Sequence, residues 1–398
     1  MLVACRDNGE KISLGEQWKR NELDKWRQKE GFFCPQCGKK VILRLGNKRI
    51  WHFAHQKDSG CESEHERESE YHMSGKLQLY EWLKEQSVAA ELERYIPECK
   101  QRADIAFEWN KKKYAVEFQC SPITVELLAG RTEGYINHGF TPIWIAGGNQ
   151  IKRTSANCLA MSEFQFLFLR RQGRRWMFPA YCAETRQFIL LQHILPISSS
   201  KALASFHPIS RSEFPLLRLL EFPSVTDHSF KCWVRELNRQ KSNLLHYHGR
   251  GQKNFLNELY YNRLNLLMLP PELGLPVPSS PFIQTPPLLW QTFIYLDHFH
   301  DTPLGKVIST ADILKSFLHR VRRRQIQIRR LPLAEYGDFR YAIREYLELL
   351  VSLALLENVN PQYYRLASRL GIPHTMEGQL QAESAFWNTH GNRIMANS

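Results

Sequence analysis

The sequence predicts a mixed α/β chain: a β-rich module bearing cysteines and histidines, a small α/β core, and a basic, mainly helical remainder with a β-rich start. Three observations carry this. Between Glu70 and Ala146 the apolar residues change from helical to strand periodicity and back. Cysteine and histidine pairs cluster between Cys34 and His55. The net charge of +13 is unevenly spread, with 23 Lys/Arg against 22 Asp/Glu in residues 1–150 and 30 against 18 in residues 151–398. At 398 residues and 43% apolar content, the chain is too long and too hydrophobic for a disordered tail or a disulfide-stapled module, and about two or three domains are expected. Their expected limits are 1–65, 66–150 and 151–398.

Element by element, Asp7-Asn8-Gly9-Glu10 reads as the turn of a hairpin over residues 1–14. A short helix follows over 16–29, then a second hairpin from Phe32 to His55. Leu77, Tyr80 and Leu83, with Leu79 and Trp82, predict an amphipathic helix over 70–86. Residues 91–96, 102–109 and 114–120 read as strands, the last two joined by Asn110-Lys-Lys-Lys113. A helix over 124–137, capped by Thr124 and ended by His138-Gly139, leads to the apolar strand 141–146. Beyond it, 164–170, 175–182 and 188–194 read as three antiparallel strands and Ser198-Ser-Ser200 as a linker. Helices are expected over 255–268, 287–299, 310–324, 334–356 and 361–370. The longest apolar stretch, Tyr346 to Leu356, is about half a bilayer span and contains Glu348, so it reads as a buried helix. Arg6, Asp7, Glu10 and Lys11 interrupt any signal-like run, which makes the expectation a cytoplasmic chain with reduced thiols and no membrane insertion.

Three constellations carry chemistry. Cys34-Pro-Gln-Cys37 and His52-Phe-Ala-His55 have the residue types and spacing of a structural Zn²⁺ site, closed by four ligands. Two free thiols and two ordinary histidines are the alternative, with Cys61 and His65 as competing ligands. Asp104, at the start of one strand, and Glu117, inside the next, would meet across a tight connection and share one Mg²⁺ or Mn²⁺. A carboxylate flanked by Ala115, Val116 and Phe118 is costly unless it is paired or coordinating. Glu68, His72 and Lys76 recur every four residues along one helix face and would add a ligand, a proton-transfer group and a cation. Arg320, Arg322, Arg323, Arg324, Arg329 and Arg330 fall within eleven residues and suit phosphate contacts on DNA, a solvated helix end being the alternative. Trp233, Tyr247, Tyr260 and Tyr261 read as core rather than as base-stacking platforms.

Taken together, Arg-Ala-Asp104, Glu117-x-Gln119 and the Glu68-x3-His72-x3-Lys76 helix resemble the nuclease-like region of the competence protein CoiA family. Cys34-Pro-x-Cys37, His52-Phe-Ala-His55, Ser121-Pro-Ile123, Arg131-Thr132 and Tyr135 are similar too. The resemblance implies a restriction-endonuclease-like (PD-(D/E)xK) core of helix, three strands, helix and strand, with Asp104 and Glu117 as its acidic pair. It implies a metal-dependent DNA nuclease that processes or recombines incoming DNA in natural transformation. Gln119 stands where that superfamily usually has lysine. Gln119 would orient water or phosphate, Lys76 would replace the missing cation, and Arg131 would contact the phosphate backbone. A catalytically inactive DNA-binding accessory that uses the nuclease fold as a platform is the alternative.

Overall fold

In the computed structural model, which describes residues 1–56, 68–221, 229–246, 249–334 and 336–398, the first turn is the one Asn8-Gly9 signals. Gly9 takes a φ of +82°, and β1 (Val3–Arg6) pairs antiparallel with β2 (Lys11–Ser13). After α1 (Arg20–Lys29), β3 (Phe32–Phe33), β4 (Lys40–Arg44) and β5 (His52–His55) complete an antiparallel sheet of order β2-β1-β3-β4-β5. Val41, Leu43 and Phe53 alternate into its buried face.

Next comes α2 (Glu70–Glu85), whose N-cap Ser69 accepts a hydrogen bond from the His72 N–H. The short β6 (Ala90–Leu92), β7 (Tyr95–Ile96) and β8 (Gln101–Arg102) precede two longer strands, β9 (Ile105–Trp109) and β10 (Lys112–Gln119). Their hairpin turns on Asn110 and Lys111, both with left-handed φ (49° and 62°), as a two-residue connection between right-twisted strands requires. The helix α3 (Val125–Asn137), capped by Thr124, then carries the chain to β11 (Phe140–Gly147), parallel to β10 from Lys113↔Phe140 to Gln119↔Ala146. β6 and β9 are antiparallel, so the local sheet order is β6-β9-β10-β11. Three strands are expected between the two helices; there are five, of which β6, β9 and β10 join this sheet while β7 and β8 pair with each other. Close packing holds α2 on β10: a Cβ added at Gly75 would clash with the edge of the Phe118 ring.

The chain divides into two units, Met1–Ile151 with Phe178–Leu190 and His207–Pro223, and Lys152–Met177 with Leu191–Phe206 and Ser224–Ser398. Beyond β11 lie β12 (Lys152–Ser155), β13 (Cys158–Ala160), the one-turn α4 (Glu163–Phe166), β14 (Arg170–Gln172), β15 (Arg175–Cys182), β16 (Gln187–Ser198) and β17 (Lys201–Ser210). Two expectations change here. Residues 163–166 form a helical turn because Ser162 and Gln165 build a capping box, and Ser198–Ser200 is the turn of a β16-β17 hairpin rather than a linker.

Helices then dominate: α5 (Leu216–Leu220), α6 (Phe230–His246), α7 (Arg250–Tyr261), α8 (Pro287–His298), α9 (Thr310–Arg322), α10 (Phe339–Ser352) and α11 (Met376–Ala396). They are joined by a small sheet of β18 (Val307–Ser309), β19 (Leu356–Asn360) and β20 (Tyr363–Leu366). The helix expected over 361–370 is therefore β20, in which Tyr364 and Leu366 are buried and Tyr363 and Arg365 exposed, a period of two. α6 and α11 are not anticipated; α11 buries Gln379 and Glu383, and Glu383 reaches Lys241 of α6 at 2.7 Å, so polar residues occupy core positions. Among the described residues no helix is long and apolar enough to cross a membrane.

Because Phe118 fills the space above Gly75, Gly75→Ala is expected to destabilise the protein by about 1–3 kcal/mol through overpacking. Gly130→Ala, on α3 where nothing lies within 4 Å of the added carbon, is neutral or mildly stabilising. Thermal melts of the two variants check the contrast.

Candidate functional site

The site forms where β9 leaves β10. Their ladder ends at Ile105↔Val116, so Asp104 and Glu117 stand opposite each other one step beyond it. The chain bends at Asp104, and its carboxylate takes the place a continuing strand would fill, with Oδ2 accepting the Phe118 N–H at 2.9 Å. Alternation along β10 then sorts its side chains between two helices. Phe118 faces α2, stacking near Tyr71 and His72, while Glu117 reaches Arg131 and Tyr135 of α3.

On the α2 side, His72 and Lys76 share a helix face as their spacing predicts, whereas Glu68, expected on the same face, precedes the N-cap Ser69 and reaches Lys76 from the incoming chain. His72 Nε2 lies 3.3 Å from Asp104 Oδ2. Lys76 is fully buried; its Nζ lies 2.6 Å from Glu68, 2.5 Å from Glu93 and 3.5 Å from Asp104 Oδ1. Burial alone would strip its proton, but Glu68, Glu93 and Asp104 raise its pKa instead. Burial pushes Asp104 up as well, and Lys76 with His72 overrides it, holding this carboxyl below the usual range. The His72 imidazole is raised, burial being outweighed by Asp104.

On the α3 side, Tyr135 and Arg131 both donate to Glu117 Oε1, and Arg131 also reaches the Arg102 carbonyl at 3.1 Å. Glu117 nevertheless has a raised pKa, because burial and the nearby Asp104 charge outweigh what Arg131 contributes. Gln119, two residues along the same face, donates to the Ser121 carbonyl at 2.9 Å. Glu93 and Arg102 were given no role by the sequence. Arg102, beside the expected Asp104, has its guanidinium 3.9 Å from Glu68, and Glu93 carries no pattern that sets it apart from a surface glutamate.

The oxygen-only donor set suits a hard divalent cation. A half-buried and a buried carboxylate one ladder step past the last pair, the buried Glu117 with a raised pKa, are what such a cation would stabilise. His72 and Lys76 approach Asp104 from one helix; Arg131 and Tyr135 hold Glu117 from the other.

The N-terminal sheet holds a second group. Gly38, at φ +69°, closes the turn after Cys37, and its N–H bonds back to the Cys34 carbonyl. Among the described residues, Cys34, Cys37 and His55 form the one group of three or more metal-ligating side chains with donor atoms within 4.8 Å of one another. These three can hold a metal ion such as zinc. His52, expected as the fourth ligand, is not among them: three residues from His55 on one strand, it faces the other side, with Nδ1 2.9 Å from the Ile50 carbonyl. The competing Cys61 and His65, like most of the acidic run from Glu62, lie outside the described residues.

In the second unit the arginine cluster divides. Arg320 is buried between Asp297 and Glu258, 2.5 and 2.7 Å away, over the Phe293 ring. Arg329 donates to the carbonyls of Pro281, Ile283 and Ser199 and stacks on Phe166 at 3.7 Å. Neither is presented for a phosphate. Arg322, Arg323, Arg324 and Arg330 are exposed. Trp233 is core, as expected, but Tyr260 and Tyr261 are 78% and 80% exposed; Tyr247 lies outside the described residues.

Three family models match successive stretches of the chain, the second running well past the expected limit at residue 150. Residues 15–64 match the N-terminal domain of competence protein CoiA, 68–223 its nuclease-like domain and 228–380 its C-terminal domain. The curated "Competence protein CoiA" of Bacillus subtilis (strain 168) is 30% identical over 362 residues, covering 88% of this chain and 94% of that protein. No solved structure matches the chain. With a nuclease-like domain that carries Asp104 and Glu117 between two flanking domains matched in order, the chain belongs to the CoiA family of competence proteins.

Proposed function

We propose that the chain is a Mg²⁺- or Mn²⁺-dependent deoxyribonuclease with a restriction-endonuclease-like core, acting in the cytoplasm on DNA taken up in natural transformation. The reading is carried by one observation: a half-buried and a buried carboxylate, Asp104 and Glu117, take facing positions where two strands part, and each is fixed by a different helix. Asp104 and Glu117 would hold the metal, which when bound supplies a water of lowered pKa and charge stabilisation at the scissile phosphate. Lys76 and the Phe118 N–H keep Asp104 ionised and oriented. His72, favoured in its protonated form, stands ready to pass a proton at Nε2. Arg131 serves the site by holding Glu117, not by reaching DNA. Residues 66–150 would form the hydrolytic core and 1–65 a zinc-stabilised module. Residues 151–398 would grip phosphates through the exposed Arg322 and Arg323, which line an open cleft of about 690 Å³ with Lys315 and His319.

One observation favours the inactive platform instead. Gln119 carries no charge, and the ammonium meant to replace the usual lysine is already matched by three carboxylates. Cleavage assays on single-stranded, duplex and branched DNA decide. Asp104→Asn and Glu117→Gln should each lower Mg²⁺-dependent cleavage more than about 100-fold; equal cleavage by wild type and both variants would remove the site.

Zinc content and stability test the N-terminal module. Cys34→Ser is expected to lose the bound metal and lower the Tm, since a structural metal contributes directly to folding.

The His72–Asp104 pair sets a pH dependence. Its folded pKa lies above the unfolded value of about 6.5, so the pair's contribution is complete below that pH and fades as pH rises through the folded pKa. Melts from pH 5.5 to 8.5 should therefore show wild type losing its advantage over His72→Asn on the alkaline side; a growing advantage would contradict the pairing.

A further inference from the structure

We propose that Glu93 is a positioning residue: it draws the Lys76 ammonium away from Asp104, leaving Asp104 open to a divalent cation, and is itself fixed by the N-terminal sheet. Glu93 lies between β6 and β7, 3% exposed, in a left-handed backbone conformation (φ +49°) uncommon for a residue with a side chain. Its N–H and both carboxylate oxygens are committed. Its N–H donates to the Asp104 carbonyl at 2.8 Å, which ties the two residues together. Oε1 meets Lys76 Nζ at 2.5 Å, and Oε2 accepts the Val3 N–H of β1 at 3.2 Å.

The distances give the role its direction. The ammonium lies 2.5 and 2.6 Å from Glu93 and Glu68, but 3.5 Å from Asp104 Oδ1. Three carboxylates compete for one cation, and the two that are not opposite Glu117 win. With the Glu93 charge removed, the attraction left to Lys76 comes from Glu68 and Asp104, so Nζ closes on Oδ1 and occupies the position a metal would take. The anchor on Val3 joins this arrangement to the metal-binding module. β1 pairs with β3 at Cys5↔Phe33, and Cys34 follows β3 directly.

The metal dependence rests on the nuclease reading, so the test measures binding without turnover. Mn²⁺ affinity is determined by electron paramagnetic resonance on the full chain, purified without chelator and free of DNA, for wild type, Asp104→Asn, Glu93→Gln and Lys76→Met/Glu93→Gln. Glu93→Gln keeps the shape and an acceptor for Val3, and should weaken Mn²⁺ about 10-fold. The double variant, which lacks the competing ammonium, should return to near wild-type affinity. That rescue separates positioning from general damage, and it holds the question open to refutation even if Glu93→Gln alone folds poorly. Binding that is lost in Asp104→Asn but unchanged in Glu93→Gln overturns the role of Glu93 while leaving the metal site standing. A loss in Glu93→Gln that the double variant does not restore overturns it too. Wild-type binding no stronger than Asp104→Asn removes the metal site, and this proposal with it.

Discussion

A lysine ammonium sealed from water is the constraint on which the candidate centre depends. Lys76 projects from α2 into a space bounded by the β6–β7 turn and the bend before β9, where each neighbouring element supplies a carboxylate. Isolated, any one of these charges would be strongly disfavoured; the three carboxylates are balanced by Lys76 together with Arg102, the Met1 ammonium and His72. The arrangement is unforgiving, because removing one partner leaves another buried and unmatched. It therefore specifies how α2 sits on the sheet more tightly than apolar packing alone, which tolerates exchange among side chains of similar volume. Gly75 supports the same docking from one residue away, since only a bare Cα lets Phe118 approach the helix closely enough for Lys76 to reach past it.

Some of this was legible in the sequence. The four-residue spacing of His72 and Lys76 predicts their shared face, and a tight turn after Trp109 brings Asp104 to the end of the next strand, near Glu117 to Cys120; the two-residue turn at Asn110-Lys111 then sets it against Glu117. Both are local rules with one dominant solution. What stayed hidden depends on contacts far apart in the chain. Glu93 becomes part of the centre through a left-handed backbone and a hydrogen bond from a strand ninety residues earlier, neither of which leaves a pattern. His52 was misjudged for a different reason: its spacing from His55 suits a turn, whereas the pair lies on a strand, where a separation of three residues sends the side chains apart. In the second unit, α11 leaves no amphipathic pattern because its buried positions include Gln379 and Glu383, and the alternation of β20 over four residues is too short to outweigh a helix-like composition.

The charge count needs the same correction. The six arginines from Arg320 to Arg330 suggest a uniformly phosphate-seeking surface, yet Arg320 cross-links α7, α8 and α9 through Glu258 and Asp297, and Arg329 secures backbone carbonyls beneath its stem. A guanidinium offers five donors in a rigid fork, and that suits internal cross-linking as well as it suits phosphate. Only the exposed Arg322, Arg323, Arg324 and Arg330 can reach a phosphate directly, so the six-arginine run overstates the contacts DNA would meet there.

The substitution of Gln119 for lysine can be weighed on the same physical terms. A lysine at that position would share a face with Glu117, which already has Arg131 donating to Oε1, and Arg131 is raised in pKa by that contact despite its burial. Glu117 therefore has its cation, supplied from α3, as Asp104 has one from α2. Each acid is provided with a positive neighbour by a helix instead of by the strand that carries Glu117. What a neutral Gln119 changes is the open side of the pair, where no fixed charge from this position competes with an incoming metal or repels it. In the proposed nuclease, a centre built this way would rely on the metal, not on a lysine, to stabilise charge at the phosphate. Its activity would then follow metal occupancy, and occupancy would depend on how firmly Glu68 and Glu93 keep Lys76 from settling on Asp104.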